Sequence, residues 1–495
     1  MAGIGFKLQK MLVEETYLST VKGFFSALII TSGPWLIMMI SLSVLSLISS
    51  FLLSDDNLLL FNTLFVHMCV LALIITGIFQ LFFTRIFADS MYSGERKELP
   101  NIIMANLILT LAVLTIIILP FFLNNTTFPA KTPFSVKLLT FLLILTIDII
   151  WVLLNYVSAS DEFMDFLKHY IAGCVSSIIL SALIGHSLGF NGFLLGFFIG
   201  QAYIAIYLFF QTIKVFGLAD RLDLFIVLKY PEYHILLLSG FFLYVGMWID
   251  KFIYWYSPFG KNLTPFLYYD LGYNIIFYVA FLFTTPIMAV FLITMETSFY
   301  KKYYLYSRKL LYSAPLDKLR NCCNDIKKTV KDSFISIIRI QGMIIILGIL
   351  FSKNILMFFK ISESLQPLFV IVLIGVFFHM LTLINCILLF YFDLKRETMI
   401  IYAAFFVLNG TLTFIFMKLG AKYTGLGFLI SSTVIFGYSL WRLNLNLNCL
   451  NYLFLTRQRM EELKDVDVIF IQDTGCYGRY YIKNGEKLVD NIVTI

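Results

Sequence analysis

Residues 24–53 read FFSALIITSGPWLIMMISLSVLSLISSFLL and contain no charged side chain. An α-helix rises about 1.5 Å per residue, so a run of about 20 apolar residues crosses a hydrocarbon core about 30 Å thick. Pro34 lies inside this run, where it removes a backbone donor and crowds the preceding turn. The pattern therefore predicts a membrane helix that kinks or partly unwinds at Gly33 and Pro34.

The break has two interpretations. Non-helical backbone at bilayer depth requires protein or a wet cavity to satisfy the freed carbonyl, which favours a pathway between helices, with Trp35 close to it. Tight helix packing explains the same residues without any pathway.

The rest of the chain has the same character. Of its 495 residues, 60% are hydrophobic, 17% aromatic and only 14% charged. This composition is far more apolar than that of a soluble domain and predicts an all-α polytopic membrane protein. Twelve transmembrane spans are predicted, with approximate boundaries at 24–53, 61–83, 102–123, 134–157, 170–188, 193–213, 235–256, 267–294, 335–359, 367–392, 399–417 and 426–447.

The distribution of positive charge predicts orientation and domain organisation. If the N-terminus is cytoplasmic and the chain changes side at every span, most of the 37 Lys and Arg residues fall in cytoplasmic loops. Both termini are then cytoplasmic, and the net charge of +7 reflects membrane topology and not a nucleic-acid partner. The predicted regions are an amphipathic interfacial helix at 1–22, a six-span lobe at 23–213, a linker at 214–234, a second six-span lobe at 235–447 and a tail at 448–495. Two halves with six spans each imply a parallel repeat around a central cavity.

No motif indicates an enzyme, a cofactor or a metal. The sequence has no GxxxxGK[ST], HExxH or GxSxG motif. Its seven cysteines form neither a disulfide framework nor a zinc spacing. In the polar tail, residues 468–470 and 480–482 are predicted to form a small hairpin.

Ionisable residues inside apolar spans are candidates for a transport pathway, because each costs roughly 2.5 to 3.5 kcal/mol at mid-helix on insertion scales. Asp148 lies near the centre of the fourth span, with Asn155 two turns further on the same face. They line a central cavity in one interpretation and bond to a neighbouring helix in the other. Asp250 and Lys251 lie at the outer end of the seventh span, where an aromatic belt and a solvated ion pair also account for them.

The longest polar connection, at 300–333, is strongly basic and interleaved with Tyr and Leu residues. The pattern predicts an amphipathic helix that contacts anionic lipid headgroups or a protein partner, although cytoplasmic retention of the loop explains the charges equally well. The candidates for partner docking or for a cytoplasmic gate are Arg85, Glu296, Lys301, Lys302, Arg308 and Lys309.

Several stretches together resemble one known family. They are MAGIGF at 1–6, SGPW at 32–35, TRIFAD at 84–89, WIDKF at 248–252 and PIMAVF at 286–291, followed by MET at 295–297. In this order they resemble the PelG family, the inner-membrane transporters of the Pel exopolysaccharide system in the flippase and multidrug-exporter superfamily. The resemblance reaches from the N-terminus to about the ninth span.

The resemblance implies two six-helix lobes around a cavity for a growing polymer in a bacterial plasma membrane. It also implies a cytosolic glycosyltransferase partner and membrane accessory subunits, one of them a cyclic-di-GMP receptor. The implied substrate is a polysaccharide rich in N-acetylgalactosamine that is still uncharged during export. A neutral route with hydroxyl and aromatic groups fits such a cargo, as do the 52 Phe and 28 Tyr residues.

Three alternatives remain open. The same fold also suits a flippase for lipid-linked oligosaccharides or a cation-coupled drug exporter. A membrane-embedded polysaccharide polymerase would need an acid or base in an outer loop, and only Asp55, Asp56 and Asp270 are candidates. A scaffold subunit without transport activity is a further alternative.

Overall fold

The structure is a computed structural model that describes residues 17–124, 127–129, 132–158, 163–219, 221–294, 298–311, 315–450, 452, 466–473, 476–483 and 493–494. The first half has helices α1 (Tyr17–Leu52), α2 (Asp55–Ser93), α3 (Leu99–Leu123), α4 (Phe134–Val157) and α5 (Phe163–Phe216). The second half has α6 (His234–Trp255), α7 (Leu271–Leu282), α8 (Thr285–Thr294), α9 (Tyr300–Leu311), α10 (Leu316–Leu350), α11 (Gln366–Tyr391), α12 (Lys395–Leu419) and α13 (Leu426–Asn448). Short helical turns are Arg96–Glu98, Ile226–Lys229, Pro231–Tyr233, Ser352–Phe358, Glu363–Leu365 and Ala421–Tyr423. Residues 1–16 of the predicted interfacial helix at 1–22 lie outside the described residues.

Within these residues, eleven helices are long and apolar enough to cross a membrane. The difference from the predicted twelve spans is α5, in which the segment Asp165–Phe216 has 52 residues. At about 1.5 Å per residue, this segment is roughly 78 Å long, enough for two crossings. Gly189 breaks it with φ 60° and ψ −139°, a conformation that favours glycine.

The two arms of α5 fold back on each other. Gln201 donates to the Ser177 hydroxyl at 3.2 Å, His169 bonds Tyr203 at 2.8 Å, and Tyr207 donates to Asp165 at 3.4 Å. In these three pairs, a lower residue number on the first arm is bonded to a higher residue number on the second arm. The two arms are therefore antiparallel. They correspond to the predicted fifth and sixth spans.

Proline breaks the eighth span and not the first. α1 continues through Pro34, so the predicted unwinding at this position is wrong. In contrast, α7 ends at Leu282 and α8 begins at Thr285, just before Pro286. The free carbonyl of Phe283 accepts a 2.7 Å bond from the amide of buried Gln341 in α10. A neighbouring helix therefore satisfies the broken backbone at membrane depth.

The helices form two lobes with matching internal packing. In the first lobe α2 packs on α4, and α3 packs on both α2 and α4. In the second lobe the α7–α8 pair packs on α11 and on α10, and α10 packs on α11. The lobes meet where α2 packs on α6 and where α1 packs on α8. Here α1 and α2 are spans 1 and 2, α6 is span 7, and α7 with α8 is span 8. A parallel repeat makes span 7 equivalent to span 1 and span 8 equivalent to span 2, so the contact of span 2 with span 7 is equivalent to that of span 8 with span 1.

Two small sheets complete the fold. Strands β1 (Lys261–Asn262) and β2 (Tyr268–Tyr269) form a hairpin between α6 and α7. In the tail, β3 (Val466–Asp473), β4 (Cys476–Lys483) and β5 (Val493–Thr494) form an antiparallel sheet in the order β3-β4-β5. The predicted tail hairpin is confirmed, with Val468 opposite Tyr481. We call the end of the bundle that carries residues 217–233 the linker end, and the end that carries β1 and β2 the hairpin end.

Candidate functional site

The interface between the lobes is closest where α2 crosses α6. A Cβ atom on Gly77 would overlap the ring of Tyr244, and one on Gly240 would overlap the carbonyl oxygen of Gly77. Only glycine permits backbones to approach this closely in a membrane, where association depends on packing. The crossing therefore fixes which side chains of the two lobes face each other.

Neutral polar groups connect the lobes next to this crossing. The Tyr244 hydroxyl on α6 donates to the side-chain carbonyl of Gln80 on α2 at 2.7 Å. The amide of Gln80 donates to Asn155 on α4 at 2.8 Å. The predicted pathway residue Asn155 is thus half-buried at the end of a chain of bonds that begins in the other lobe.

A second neutral contact joins α1 and α7. Ser43 and the Tyr278 hydroxyl lie 2.7 Å apart, and Tyr278 also donates to the main-chain carbonyl of Met39 at 2.9 Å. Hydroxyl and amide groups thus form the polar bonds between the lobes in this part of the interface, among the residues with described side chains.

Charged groups meet at the linker end of the interface. Arg85 on α2 pairs with Asp89 at 3.0 Å and, across the interface, with Asp393 of the α11–α12 loop at 3.6 Å. Asp393 also pairs with Lys395 at 3.3 Å. The hydroxyl of Tyr233, just before α6, donates to Asp89 at 2.7 Å. Arg85, predicted as a gate residue, is therefore part of an ion-pair network that holds the two lobes together.

Tyr303 of α9 lies beside this network. Burial raises the pKa of the Tyr303 phenol, while the nearby Arg85 guanidinium lowers it and Asp393 raises it. The phenol therefore stays protonated at neutral pH.

The hairpin end has different contacts. The ring of His67 on α2 stacks on Trp255 of α6 with centroids 4.6 Å apart. The hydroxyl of Thr264, in the β1–β2 hairpin, donates to the Thr127 carbonyl between α3 and α4 at 2.9 Å. Among the described residues, aromatic stacking and this bond from a side-chain hydroxyl to a main-chain carbonyl thus link the lobes here.

Asp250 and Lys251 occupy an unexpected place. The alternative of a solvated pair at the membrane surface is wrong, because their side chains are 0% and 4% exposed. The Lys251 ammonium lies 3.1 and 3.0 Å from the two carboxylate oxygens of Asp250 and 3.0 Å from the Met247 carbonyl. It also lies 3.4 Å from the centre of the Phe277 ring.

Other polar groups complete the environment of this pair. The Tyr273 hydroxyl donates to Asp250 at 2.8 Å, and the amide of Asn409 lies 3.5 Å from the same carboxylate. The pair is thus enclosed inside the second lobe, where its charges and hydrogen-bonding groups compensate each other.

Asp148 is likewise fully buried inside the first lobe and does not face an open cavity. The Thr76 hydroxyl on α2 donates to one carboxyl oxygen at 2.6 Å. The other oxygen has no hydrogen-bond partner among the described residues. In this conformation the geometry matches the alternative of a bond to a neighbouring helix.

The predicted break in α1 is packed against α5. Gly33 and Pro34 are buried, and a Cβ atom on Gly33 would lie 3.5 Å from Leu167. Trp35 is half-buried. The geometry of this stretch favours helix packing over a pathway.

The basic connection divides into two sets of residues. Lys302 of α9 bonds the Thr329 hydroxyl at 2.6 Å, and Lys309 lies 3.1 Å from the Cys322 sulfur, both on α10. Lys301 and Arg308 are exposed on a neighbouring face of α9. Glu296 lies outside the described residues.

Sequence reasoning missed Gln80, Tyr244, Tyr233, Asp393 and Lys395. Gln80 carried a usable signal, since an amide within an apolar span needs a partner. Asp393 and Lys395 resemble ordinary loop charges, and only the fold brings them to Arg85. Asp270, a candidate acid of the polymerase alternative, accepts a bond from the Tyr273 amide and caps α7.

The fold is similar to that of solved transporters. A crystal structure of MATE in complex with MaL6 aligns with a TM-score of 0.54 at 14% sequence identity. The alignment covers 86% of this chain and 97% of the MATE chain. The inward-facing conformation of a multidrug resistance MATE family transporter of the MOP superfamily aligns with a TM-score of 0.55 at 12% sequence identity. This alignment covers 85% of this chain and 96% of the transporter chain. A MOP superfamily transporter from Pyrococcus furiosus has a TM-score of 0.53 at 15% identity, covering 86% and 96%.

At these identities the likeness concerns the fold alone. The curated proteins contain no significant match. A family model described as "PelG: Putative exopolysaccharide Exporter (EPS-E)" matches residues 1–454 and so includes the last three spans, beyond the stretches that resemble the family by eye. With its two-lobed transporter fold and a match over nearly all of its length, the chain belongs to the PelG family.

Proposed function

We propose that this chain moves an uncharged exopolysaccharide, similar to the N-acetylgalactosamine-rich Pel polymer, from a cytosolic synthase across the bacterial plasma membrane. The observation that carries the proposal is the neutral part of the lobe interface, between the hairpin end and the linker end. There, Tyr244, Gln80 and Asn155 present hydroxyl and amide groups, while the ion pairs lie at the linker end.

The chemistry of this interface suits a glycan. Hydroxyl and amide groups exchange hydrogen bonds with sugar hydroxyls without a charge penalty, and aromatic rings stack on the apolar faces of sugars. Separation of α2 from α6 would release the Tyr244–Gln80 bond and make both groups available to a substrate. Loss of the Arg85–Asp393 pair would accompany opening at the linker end.

The linker end faces the cytoplasm in this proposal, with both termini on the same side. The excess of Lys and Arg in its loops supports this orientation. A cytosolic glycosyltransferase would deliver the polymer there, with membrane accessory subunits that include a cyclic-di-GMP receptor.

The geometry of α9 supports a refined docking site for the synthase. Tyr304 and Leu305 are 53% and 48% exposed and lie on one face with Lys301 and Arg308, at helical spacing. Lys302 and Lys309 instead attach α9 to α10. We therefore assign docking to the exposed face with Lys301 and Arg308.

The experiment compares export in cells that depend on this chain for surface polysaccharide. Gln80→Leu removes both bonds of the central polar chain and is expected to reduce surface hexosamine polymer several-fold at normal membrane levels of the protein. Thr433→Val is the matched control, because this exposed hydroxyl bonds only to the Leu429 carbonyl of its own helix. Unchanged surface polymer in cells that lack the chain would overturn the proposal.

The same cells separate the alternatives. Accumulation of short lipid-linked oligosaccharides would indicate a flippase, and retention of a cationic dye without a change in polymer would indicate a drug exporter. Loss of polymer from both the cell interior and its surface would indicate a polymerase.

A further inference from the structure

The linker between the lobes is fixed to the first lobe. Ile226 is buried in the core of that lobe, and the main-chain amide of Asp223 donates to the Asn101 side chain on α3 at 2.8 Å. The His234 ring bonds the Val227 carbonyl at 2.6 Å. The linker therefore has a defined path along the linker end of the bundle.

The outward face of the linker is strongly apolar. Leu218, Leu222, Phe225 and Leu228 are 66%, 50%, 71% and 69% exposed. Four large apolar side chains so exposed in one short segment mark a contact surface. Because the linker joins two membrane helices, α5 and α6, this surface lies at the membrane boundary, within reach of acyl chains.

A basic cavity adjoins these side chains. It has a volume of about 360 Å³, lies between the linker and the start of α3, and contains Lys97, Arg221 and Lys229 together with Tyr230. This volume falls within the range of small-ligand sites, roughly 300 to 1,000 Å³. Arg221 and Lys229 each directly precede or follow an exposed leucine, so cationic and apolar groups are adjacent along the linker.

Two acidic residues, Glu98 and Asp223, also line the cavity. The hydrogen bond from Lys229 lowers the pKa of Asp223, which forms an ion pair with that ammonium. Neither Lys97 nor Arg221 has an ion-pair partner within the described ranges. Lys97 and Arg221 line the cavity beside the Lys229–Asp223 pair.

We propose that this linker pocket binds the phosphate-bearing headgroup of an anionic membrane lipid, whose acyl chains lie along Leu222, Phe225 and Leu228. A guanidinium binds phosphate oxygens in bidentate geometry, and an ammonium adds a point charge. A lipid fits both parts of the surface, since its headgroup is anionic and its chains are apolar.

The test measures lipid retention by purified full-length protein in native mass spectrometry, with phosphatidylglycerol or phosphatidylcholine supplied in the detergent. Phosphatidylglycerol is expected to bind more tightly. Lys97→Gln with Arg221→Gln should weaken it by roughly fivefold per residue, the usual effect of one basic side chain at an anionic surface. Lys418→Gln with Lys422→Gln removes two exposed charges next to the α12–α13 connection and should leave binding unchanged.

Two further measurements distinguish the sources of the ligand. Millimolar inorganic phosphate should leave the bound lipid in place, and displacement would overturn the proposal in favour of a free phosphate site. A Phe225→Trp variant in bilayers with brominated acyl chains should show quenched emission from the added tryptophan, measured as the difference from the wild type with its five native tryptophans. Absence of quenching would overturn the lipid assignment and indicate a protein partner for the linker, as would equal lipid binding by the Lys97 and Arg221 variant.

Discussion

At the residue scale, the close contact between α2 and α6 depends on two glycines, which have no side chain. Gly77 faces Tyr244, and Gly240 faces the Gly77 carbonyl. Tyr244 is the donor of the inter-lobe bond to Gln80, so the close approach also positions the central polar groups.

We predict that Gly240→Ala destabilises the protein by about 1 to 3 kcal/mol. The added methyl group would overlap the Gly77 carbonyl oxygen, and main-chain atoms cannot move aside by changing a side-chain rotamer. Thermal unfolding in detergent measures this. Gly437→Ala is the control, since a Cβ atom there meets no atom within 4 Å. Equal melting temperatures for the two variants would contradict the close crossing.

The buried pair of Asp250 and Lys251 allows a second prediction. Asp250→Asn or Lys251→Met alone leaves one buried charge without its counter-charge and should cost about 3 to 5 kcal/mol. The double variant should cost clearly less than the sum of the single variants.

Thermal or denaturant unfolding of the four proteins gives the coupling energy. Lys168→Met is the matched control, because its pair with Asp165 is exposed, with side-chain accessibilities of 76% and 56%, and should contribute little. Additive single effects would show that the two buried charges do not depend on each other.

At the element scale, two prolines in apolar spans have different effects. Pro34 lies within continuous α1, whereas Pro286 follows the break between α7 and α8. At the second position, Gln341 of α10 supplies the donor that the Phe283 carbonyl needs. Whether a helix ends near a proline therefore depends on whether a neighbouring helix supplies a donor for the freed carbonyl.

Gln341→Leu should remove the bond from buried Gln341 to the carbonyl of half-buried Phe283 and destabilise the protein by about 0.5 to 1.5 kcal/mol. Detergent unfolding tests this, with Thr433→Val as the control for loss of a polar group at an exposed site. A melting temperature that stays at the wild-type value would mean that the break needs no support from α10.

At the scale of the whole molecule, the lobes touch through chemically distinct layers. Aromatic stacking lies at the hairpin end, ion pairs lie at the linker end, and the Tyr244–Gln80 and Ser43–Tyr278 hydrogen bonds lie between them. The Arg85–Asp393 pair is partly exposed, with side-chain accessibilities of 37% and 41%, so we expect it to affect the balance between conformations more than stability.

We predict that Arg85→Glu increases the separation of the lobes at the linker end, and that Arg85→Glu with Asp393→Arg restores it. Spin labels at Tyr92→Cys and Lys328→Cys, in a background without the seven native cysteines, report the distance between lobes. Lys168→Glu changes an exposed charge within one lobe and is the control. A distance distribution that is the same in all variants would exclude this pair as a gate.

The apolar runs by themselves determined the class of protein, the positions of the spans and the division into two lobes. The reason is that the length of an apolar helix and the thickness of a bilayer are local quantities that a sequence states directly. Even the two arms of α5, which meet at Gly189, follow from the pattern.

Only the tertiary structure decided which polar groups meet. Asp250 and Lys251 look like a surface pair because their position near a span end gives no sign of the Tyr273 and Phe277 side chains that enclose them. Arg85 reaches Asp393 across about 300 residues of sequence, and Gln80 reaches Tyr244 in the other lobe. These contacts depend on how helices cross, which is set by glycine positions and side-chain packing over the whole bundle, and no local pattern of residues encodes that geometry.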